Sequence, residues 1–347
     1  VRQYGDNVVV AIGLVVAALL YYALLSEEQP VNPVFAEYSQ FGYDPDPEGA
    51  LEFAKSLPNP TFAEAGADLI ERTEPQDTFL YRAMDAAHRA RYNSPWKVSN
   101  QGSVGSCVAH GAVHALYASE SVSWAIGERN EPPELAHQPS LYGGSRVEIR
   151  NKQENRGGDG STGYHAAQWL KEYGVIYQRE YDSFDCRDNS PALCKLWGRY
   201  GNGGKGNTEL DNDAKEHPAA HVTRVDNWEE LVAAICNGYA VTIASSQGFE
   251  RTAVDGWCRP RGSWMHQMAI IGVKVSGDRQ GACIANSWGE GWLSYTGKTW
   301  PDDLPKGCFW ADRQVVERIL SQQDSWAIAD VAFHYRDIHH NNWLEQK

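Results

Sequence analysis

From about residue 81 the chain places helical patterns first and strand patterns last, and that order limits the folds open to it. A helix pattern covers residues 107–126, and another covers residues 164–173, where Gly174 suits a C-cap. A third covers residues 227–236, with Asp226 and Glu229 spaced for a capping box and Asn237-Gly238 to end it. Strand patterns then run over residues 240–244, 266–275 and 282–286, with a Ser276-Gly277-Asp278 turn between the last two. Helices segregated from strands predict an α+β protein of two halves rather than a parallel α/β fold. No internal repeat is present.

Composition supports a folded core. Of 347 residues, 42% are hydrophobic, and 13 Trp and 17 Tyr exclude an overall disordered chain. The net charge of −14 argues against a nucleic-acid partner, whose phosphates call for Lys and Arg. Most of that charge has one address. Residues 26–80 hold twelve acids against Lys55 and Arg72, a net of −10, whereas residues 81–347 carry only −4. With prolines at 30, 45, 47, 58 and 60, residues 26–80 read as an acidic arm with short helices near 47–57 and 62–72. The arm serves either as a solvated spacer or as a pro-segment, or it binds a partner that the sequence leaves unknown.

Ahead of the arm, residues 8–25 run without a charged side chain, and eighteen residues of helix span roughly 27 Å, close to the hydrocarbon core. The expectation is an N-terminal transmembrane helix, with a cleaved signal peptide or a helix buried in an assembly as alternatives. Arg2 before the run and Glu27-Glu28 after it place the rest of the chain outside the cytoplasm. The boundaries expected are a membrane anchor at 1–25, the arm at 26–80 and a catalytic domain at 81–347. An initial Val, as a GTG start read literally would give, and the lack of an Asn-x-Ser/Thr sequon point to a bacterial or phage source.

Three segments carry chemistry. Asn100-Gln101-Gly102-Ser103-Val104-Gly105-Ser106-Cys107 delivers a Cys to the start of a helix taken as amphipathic, where free N–H groups favour a thiolate. His266 opens an apolar strand, and Asn286-Ser287-Trp288-Gly289-Glu290-Gly291-Trp292 closes another. Each has a bland reading alone: a buried Cys, a structural His, a turn. Together, and in this order, they resemble the papain-like cysteine peptidases. The resemblance spans residues 90–295 and implies a two-subdomain fold, a helical half and a β-barrel-like half with a cleft between.

It further implies Cys107 as nucleophile, His266 as its ion-pair partner and general acid, and Asn286 orienting the imidazole under the shield of Trp288. Gln101 and the Cys107 backbone N–H would form the oxyanion hole. Gly157-Gly158-Asp159-Gly160-Ser161 looks like the family's cleft-lining glycine loop, with Gly160 and Ser161 as substrate-binding positions and Met265, before the catalytic His, as a third. The implied activity is hydrolysis of peptide or protein substrates through a thioester, with no cofactor and no metal. Transfer of the acyl group to an amine, or a structural, virion-associated protein keeping the fold, are the alternatives.

The chain departs from the family at Val104, Val108, His110 and Met265. No pro-helix of the family's usual pattern is evident in the arm. Six cysteines besides Cys107 permit three disulfides in an exported domain, with Cys186–Cys194 and Cys258–Cys308 as expected pairs and Cys236 and Cys283 as core thiols. His217 and His221 have a metal-like spacing interrupted by Pro218, and residues 201–206 lack P-loop spacing; neither is taken as a site.

Overall fold

A computed structural model describes residues 41–150, 159–182, 184–201, 208–217 and 221–338. The expected membrane span at 8–25, the arm before residue 41, Gly157-Gly158 and the Gly-Lys loop after Gly201 lie outside these residues. Among the described residues, no helix is long and apolar enough to cross a membrane.

The described arm folds as α1 (Pro47–Ser56), α2 (Phe62–Ala65) and α3 (Ala67–Arg72), followed by strand β1 (Thr78–Phe79). Local chemistry sets these helices. Asp46 caps α1 by accepting from the Gly49 N–H at 3.0 Å, with Pro47 at the first helical position. Thr61 and Glu64 form a capping box on α2. Phe62 and Leu69 are fully buried in the main core.

The helical half comprises α4 (Leu80–Tyr92), α5 (Cys107–Ala125), α6 (Gln138–Gly143) running into a π-helical segment (Gly144–Ile149), α7 (Gly163–Tyr173), α8 (Pro191–Tyr200) and α9 (Thr208–Glu216). Helix α5 is not amphipathic as expected: its residues from Cys107 to Ser123 are all buried. It is the spine between two hydrophobic cores. Its first turns join a cluster with Tyr164 and Trp326, and its last turns join the core of the β half. Enclosure on every side buries even its polar residues, His110, His114, Ser119, Glu120, Ser121 and Ser123. Gly111 permits the closest approach, since a Cβ there would lie 3.0 Å from the Met268 carbonyl oxygen.

The β half holds β2 (His221–Arg224), α10 (Trp228–Cys236), β3 (Val241–Val254), β4 (Trp257–Lys274), β5 (Gly281–Ala285), β6 (Ser294–Thr296), β7 (Cys308–Asp312), α11 (Arg313–Leu320) and β8 (Ser325–Ala329). The eight-stranded sheet is ordered β2-β8-β3-β4-β5-β7, with β1 added on β4, β6 on β3, and a further β4–β7 pairing that curls it. Strands β3 and β4 are far longer than expected, and Asp255-Gly256 joins them with φ of 53° and 89°. Such a two-residue turn is a strong hairpin signal in sequence. Residues 250–263 obscured it, because they are mostly exposed and carry Arg, Gly and Pro instead of an alternating apolar face. The N-cap of α10 is Asn227, one residue later than expected, and Glu230 reaches back to the residue before the cap and not to the cap itself. Asn227 accepts from the Glu230 N–H at 2.9 Å, and Glu230 accepts from the Asp226 N–H at 3.0 Å.

No disulfide forms: all seven cysteines are free and buried. The expected pairs sit in different places. Cys194 belongs to the core around α5 while Cys186 lies in a separate small cluster. Cys258 faces Ala253 on β3, and Cys308 faces Ala285 on β5.

Candidate active site

The loop before α5 turns sharply so that Cys107 becomes the first helical residue, fully buried. Backbone N–H groups of Val108, Gln267 and Gly42 all point at its sulfur. Gln267 is the neighbour of His266 on β4, so the β half reaches the nucleophile position directly. The Gln267 side chain also donates to the Val108 carbonyl at 3.2 Å, fixing β4 on the first turn of α5.

His266 and Asn286 meet at 2.7 Å, Nε2 to Oδ1, and both are fully buried. Asn286 Oδ1 also accepts from the Ser287 N–H at 2.7 Å. An oxygen facing the ring requires the imidazole to donate from Nε2, which leaves Nδ1 as the bare nitrogen of a neutral ring. Nδ1 has no hydrogen-bond partner in the structure. Trp288 lies over His266, with ring centroids 4.7 Å apart, and covers the His–Asn bond.

Gln101 is zipped to the same loop. Its N–H donates to the Ser287 carbonyl at 2.8 Å, and the Ser287 hydroxyl donates to Gln101 Oε1 at 2.6 Å. Gln101 Nε2 donates to the Val104 carbonyl at 2.8 Å, so the plane of the amide is held from both ends. Ser287 is a site residue that motif reading passed over as a turn. Asp159 is another: it accepts from the Gly105 N–H at 2.6 Å and from the Tyr142 hydroxyl, tying the glycine loop to the loop that carries Cys107.

Residues 41–44 of the arm lie across all of this as a strap. Ser161 N–H donates to the Gly42 carbonyl at 2.9 Å, and Asp44 N–H donates to the Ser161 carbonyl at 2.8 Å, a parallel bridge centred on Tyr43. Tyr43 N–H donates to the Met265 carbonyl at 3.0 Å. Thus Ser161 and Met265, picked from sequence, are brought together by the strap, and Gly160 sits beneath it. At Gly160 φ is +102°, and a Cβ would approach the Gly42 carbonyl oxygen to 2.6 Å. Phe41 lies against Trp288 and His266, at centroid distances of 5.8 and 6.2 Å. Asp44 pairs with Arg150 at 2.6 Å, and Asp46 accepts from the Tyr164 hydroxyl at 2.8 Å, which clips the strap's far end.

No protein-family model matches the sequence. The chain is 26% identical over 201 residues to Cathepsin L 2 of Paramecium tetraurelia, a match over 56% of this chain and 52% of the relative. The chain thus spans about half the length of that curated relative. Among solved structures, proCathepsin B S9 from Trypanosoma congolense superposes with a TM-score of 0.53 at 13% identity, over 86% of this chain and 89% of that one. Digestive procathepsin L 3 of Tenebrio molitor gives 0.50 at 14% identity, over 85% and 78%. The fold is that of the papain-like cysteine peptidases.

In this papain-like fold burial works against charge on both members of the central pair. Burial pushes the Cys107 thiol up to about 12, against the pull of the three N–H groups. Burial likewise pushes His266 down to about 4, despite its bond to Asn286. The thiolate expected at the helix start is therefore not favoured while the strap lies over it. One and two turns further along α5, His110 and His114 share Ser99 Oγ at 2.7 and 3.0 Å, and burial lowers them to about 3 and 4. His110 thus fills the place of the family's usual aromatic as a neutral, hydrogen-bonded core histidine. Among the described residues, no group of three or more His, Cys, Asp or Glu could hold a metal.

Proposed function

We propose that the chain is a cysteine peptidase that hydrolyses peptide bonds through a thioester, held here in a covered state by its own arm. The carrying observation is the His266–Asn286 bond at 2.7 Å, built beside a cysteine at a helix start and overlaid by a strand-like strap. With the strap displaced, water and the helix N-terminus would favour the thiolate. The Cys107 proton would pass to His266 Nδ1, and the sulfur would attack the carbonyl carbon. The oxyanion would be met by Gln101 Nε2 and the Cys107 N–H, a donor pair whose members are worth a few kcal/mol each. His266 would give its proton to the leaving amine, and water would then cleave the thioester to a carboxylic acid and a free thiol.

The strap escapes this chemistry by running backwards. A substrate must put its leaving amine beside the general acid, so its C-terminal side lies toward His266 and Trp288 and its N-terminal side along Ser161. The strap does the reverse, with Phe41 at Trp288 and Asp44 at Ser161. The Gly42 carbonyl is taken by the Ser161 N–H instead of turning to the oxyanion donors. This supports reading the arm as an inhibitory pro-segment. The apolar run at residues 8–25 supports a membrane anchor with the catalytic domain outside the cytoplasm, testable by carbonate extraction of membranes. Cys107→Ala is expected to abolish peptide hydrolysis and labelling by an epoxide thiol probe; turnover equal to the parent protein would overturn the peptidase reading.

A further inference from the structure

Two histidines of α5 grip one serine on the loop that carries Gln101. Ser99 begins a short strip paired to the loop after β5. Its carbonyl accepts from the Gly289 N–H at 2.9 Å, Asn100 forms an antiparallel bridge with Trp288, and the Gln101 N–H donates to the Ser287 carbonyl at 2.8 Å. On the α5 side, Ser99 Oγ lies 2.7 Å from His110 Nδ1 and 3.0 Å from His114 Nε2, and the Ser99 N–H donates to the same His114 nitrogen at 3.3 Å. Both rings are buried, and their other nitrogens, His110 Nε2 and His114 Nδ1, have no partner in the structure. Whatever fixes Ser99 thus also fixes the strip that ends in Gln101.

The three contacts dictate where the protons sit. A backbone N–H can only donate, so His114 Nε2 is the bare nitrogen and Nδ1 carries the proton. Ser99 has one hydroxyl proton. Given to His110, it would leave two lone pairs facing each other across the 3.0 Å contact. Given to His114, it lets His110 Nδ1–H donate to Oγ in turn. The bonds then run in one direction, from His110 through Ser99 to a lone pair of His114. A second proton on His114 would have to go on that lone pair, against the Ser99 N–H. We propose that His110 and His114 are positioning residues of the oxyanion hole: as neutral rings they hold Ser99, and through it Gln101, and a proton on His114 lets the strip go. This rests on the peptidase reading above. Burial sets the pH of that release low, since it pushes His114 down to about 4. The titratable neighbours are His110 and Cys107 on the same helix and His266 on β4, which acts on His110. Asp85 with Arg89 on α4, and Lys97 with Glu290 on the two loops, are paired with each other at 2.7 and 3.1 Å, and Trp96 lies edge-on to His114 at 5.5 Å.

The test begins with the unaltered full-length chain labelled with nitrogen-15 histidine. Two-bond proton–nitrogen spectra at neutral pH, with the His114 signals assigned by their loss in His114→Gln, should show Nδ1–H and a bare Nε2. The other tautomer, or a charged ring, would overturn the proposal. Turnover of a fluorogenic peptide is then read in the full-length Gly42→Ala chain, whose added methyl group would stand 1.9 Å from the Gly105 carbonyl oxygen and so unseats the strap. There His114→Leu should lower kcat about tenfold with KM within about twofold, because a displaced oxyanion donor is missed in the transition state and not in binding. His114→Gln, whose amide oxygen accepts from Ser99 but takes no proton near pH 4, should recover most of that loss. Between about pH 5 and 3.5 it should also lose about threefold less kcat than its Gly42→Ala parent, with circular dichroism following the fold. Unchanged kcat in His114→Leu, a change in KM alone, no recovery in His114→Gln, or an acid loss that tracks the dichroism would each overturn the proposal and leave the peptidase reading standing. No cleavage by the Gly42→Ala chain, with no labelling by the epoxide probe, would remove both.

Discussion

Gly42 has no room for a methyl group, since a Cβ there would stand 1.9 Å from the Gly105 carbonyl oxygen. Backbone cannot yield that much without lifting the strap. Gly42→Ala is therefore expected to speed alkylation of Cys107 at least tenfold at unchanged pH, read by mass spectrometry of the labelled peptide. Ser287 acts at the same scale but in the opposite sense. It holds Gln101 Oε1 at 2.6 Å and so sets where the amide N–H groups point. Ser287→Ala should lower kcat about tenfold with KM little changed, because a mis-set oxyanion donor weakens the transition state and not ground-state binding. A change in KM alone would assign Ser287 to substrate binding instead. The residues of the site differ in legibility. Cys107, His266, Asn286 and Gln101 stand out in the sequence because the three segments that carry them resemble, in type and in order, those of the papain-like peptidases. Ser287 and Asp159 do not, because a serine or aspartate in a Gly-rich turn carries no signature until the loops it joins are seen together.

The arm divides into elements with different duties. Residues 41–46 lie on the cleft and are held by a few hydrogen bonds and ion pairs. Residues 59–79 belong to the fold proper: the Asn59 carbonyl accepts from Thr223 Oγ1 at 3.0 Å, Phe62 packs on Phe333 at a centroid distance of 5.4 Å, and β1 extends the sheet at Gly272 and Val273. Phe62→Ala is expected to cost about 3–5 kcal/mol in urea unfolding. Phe41→Ala, at a partly exposed position, should cost well under half of that. Equal losses would mean the whole arm is one structural unit. Sequence reading marked the two helical stretches of the arm, near 47–57 and 62–72, as short pieces between its prolines. It gave no hint that the first packs against α7 of the helical half and the second on the β half, because acidic residues dominate the composition while burial falls on a few positions such as Phe53, Phe62 and Leu69. The same limit explains the long β3–β4 hairpin, whose exposed outer part lacks the alternation that marks a strand with one buried face.

Across the molecule, buried titratable groups set the response to pH. His110, His114, His137 and His266 are all depressed by burial, to between about 3 and 4. A histidine lowered in the fold contributes stability that is present above its unfolded value near 6.5 and lost as pH falls toward the folded one. Each costs the fold about 1.4 kcal/mol per pH unit of acidification across that window. Asp324 and Glu120, both raised by burial to about 7, act with the other sign: their contribution is complete below the unfolded carboxylate range and lost as pH rises through 7. Four histidines outweigh two carboxyls, so the melting temperature should fall steadily from pH 6.5 to pH 4. A flat profile over that interval would show that the histidines are not buried neutral.

The shielded sulfurs described above have one more consequence. A fold with all seven cysteines free and buried is one in which the count of reagent-accessible thiols is itself a conformational readout. With the strap down, Ellman's reagent should titrate close to zero thiols per chain, and with the strap lifted the count should become one. Global unfolding alone should bring it to seven. Opening and unfolding, which many assays merge into a single loss of signal, are thus separated here by whole-number stoichiometry.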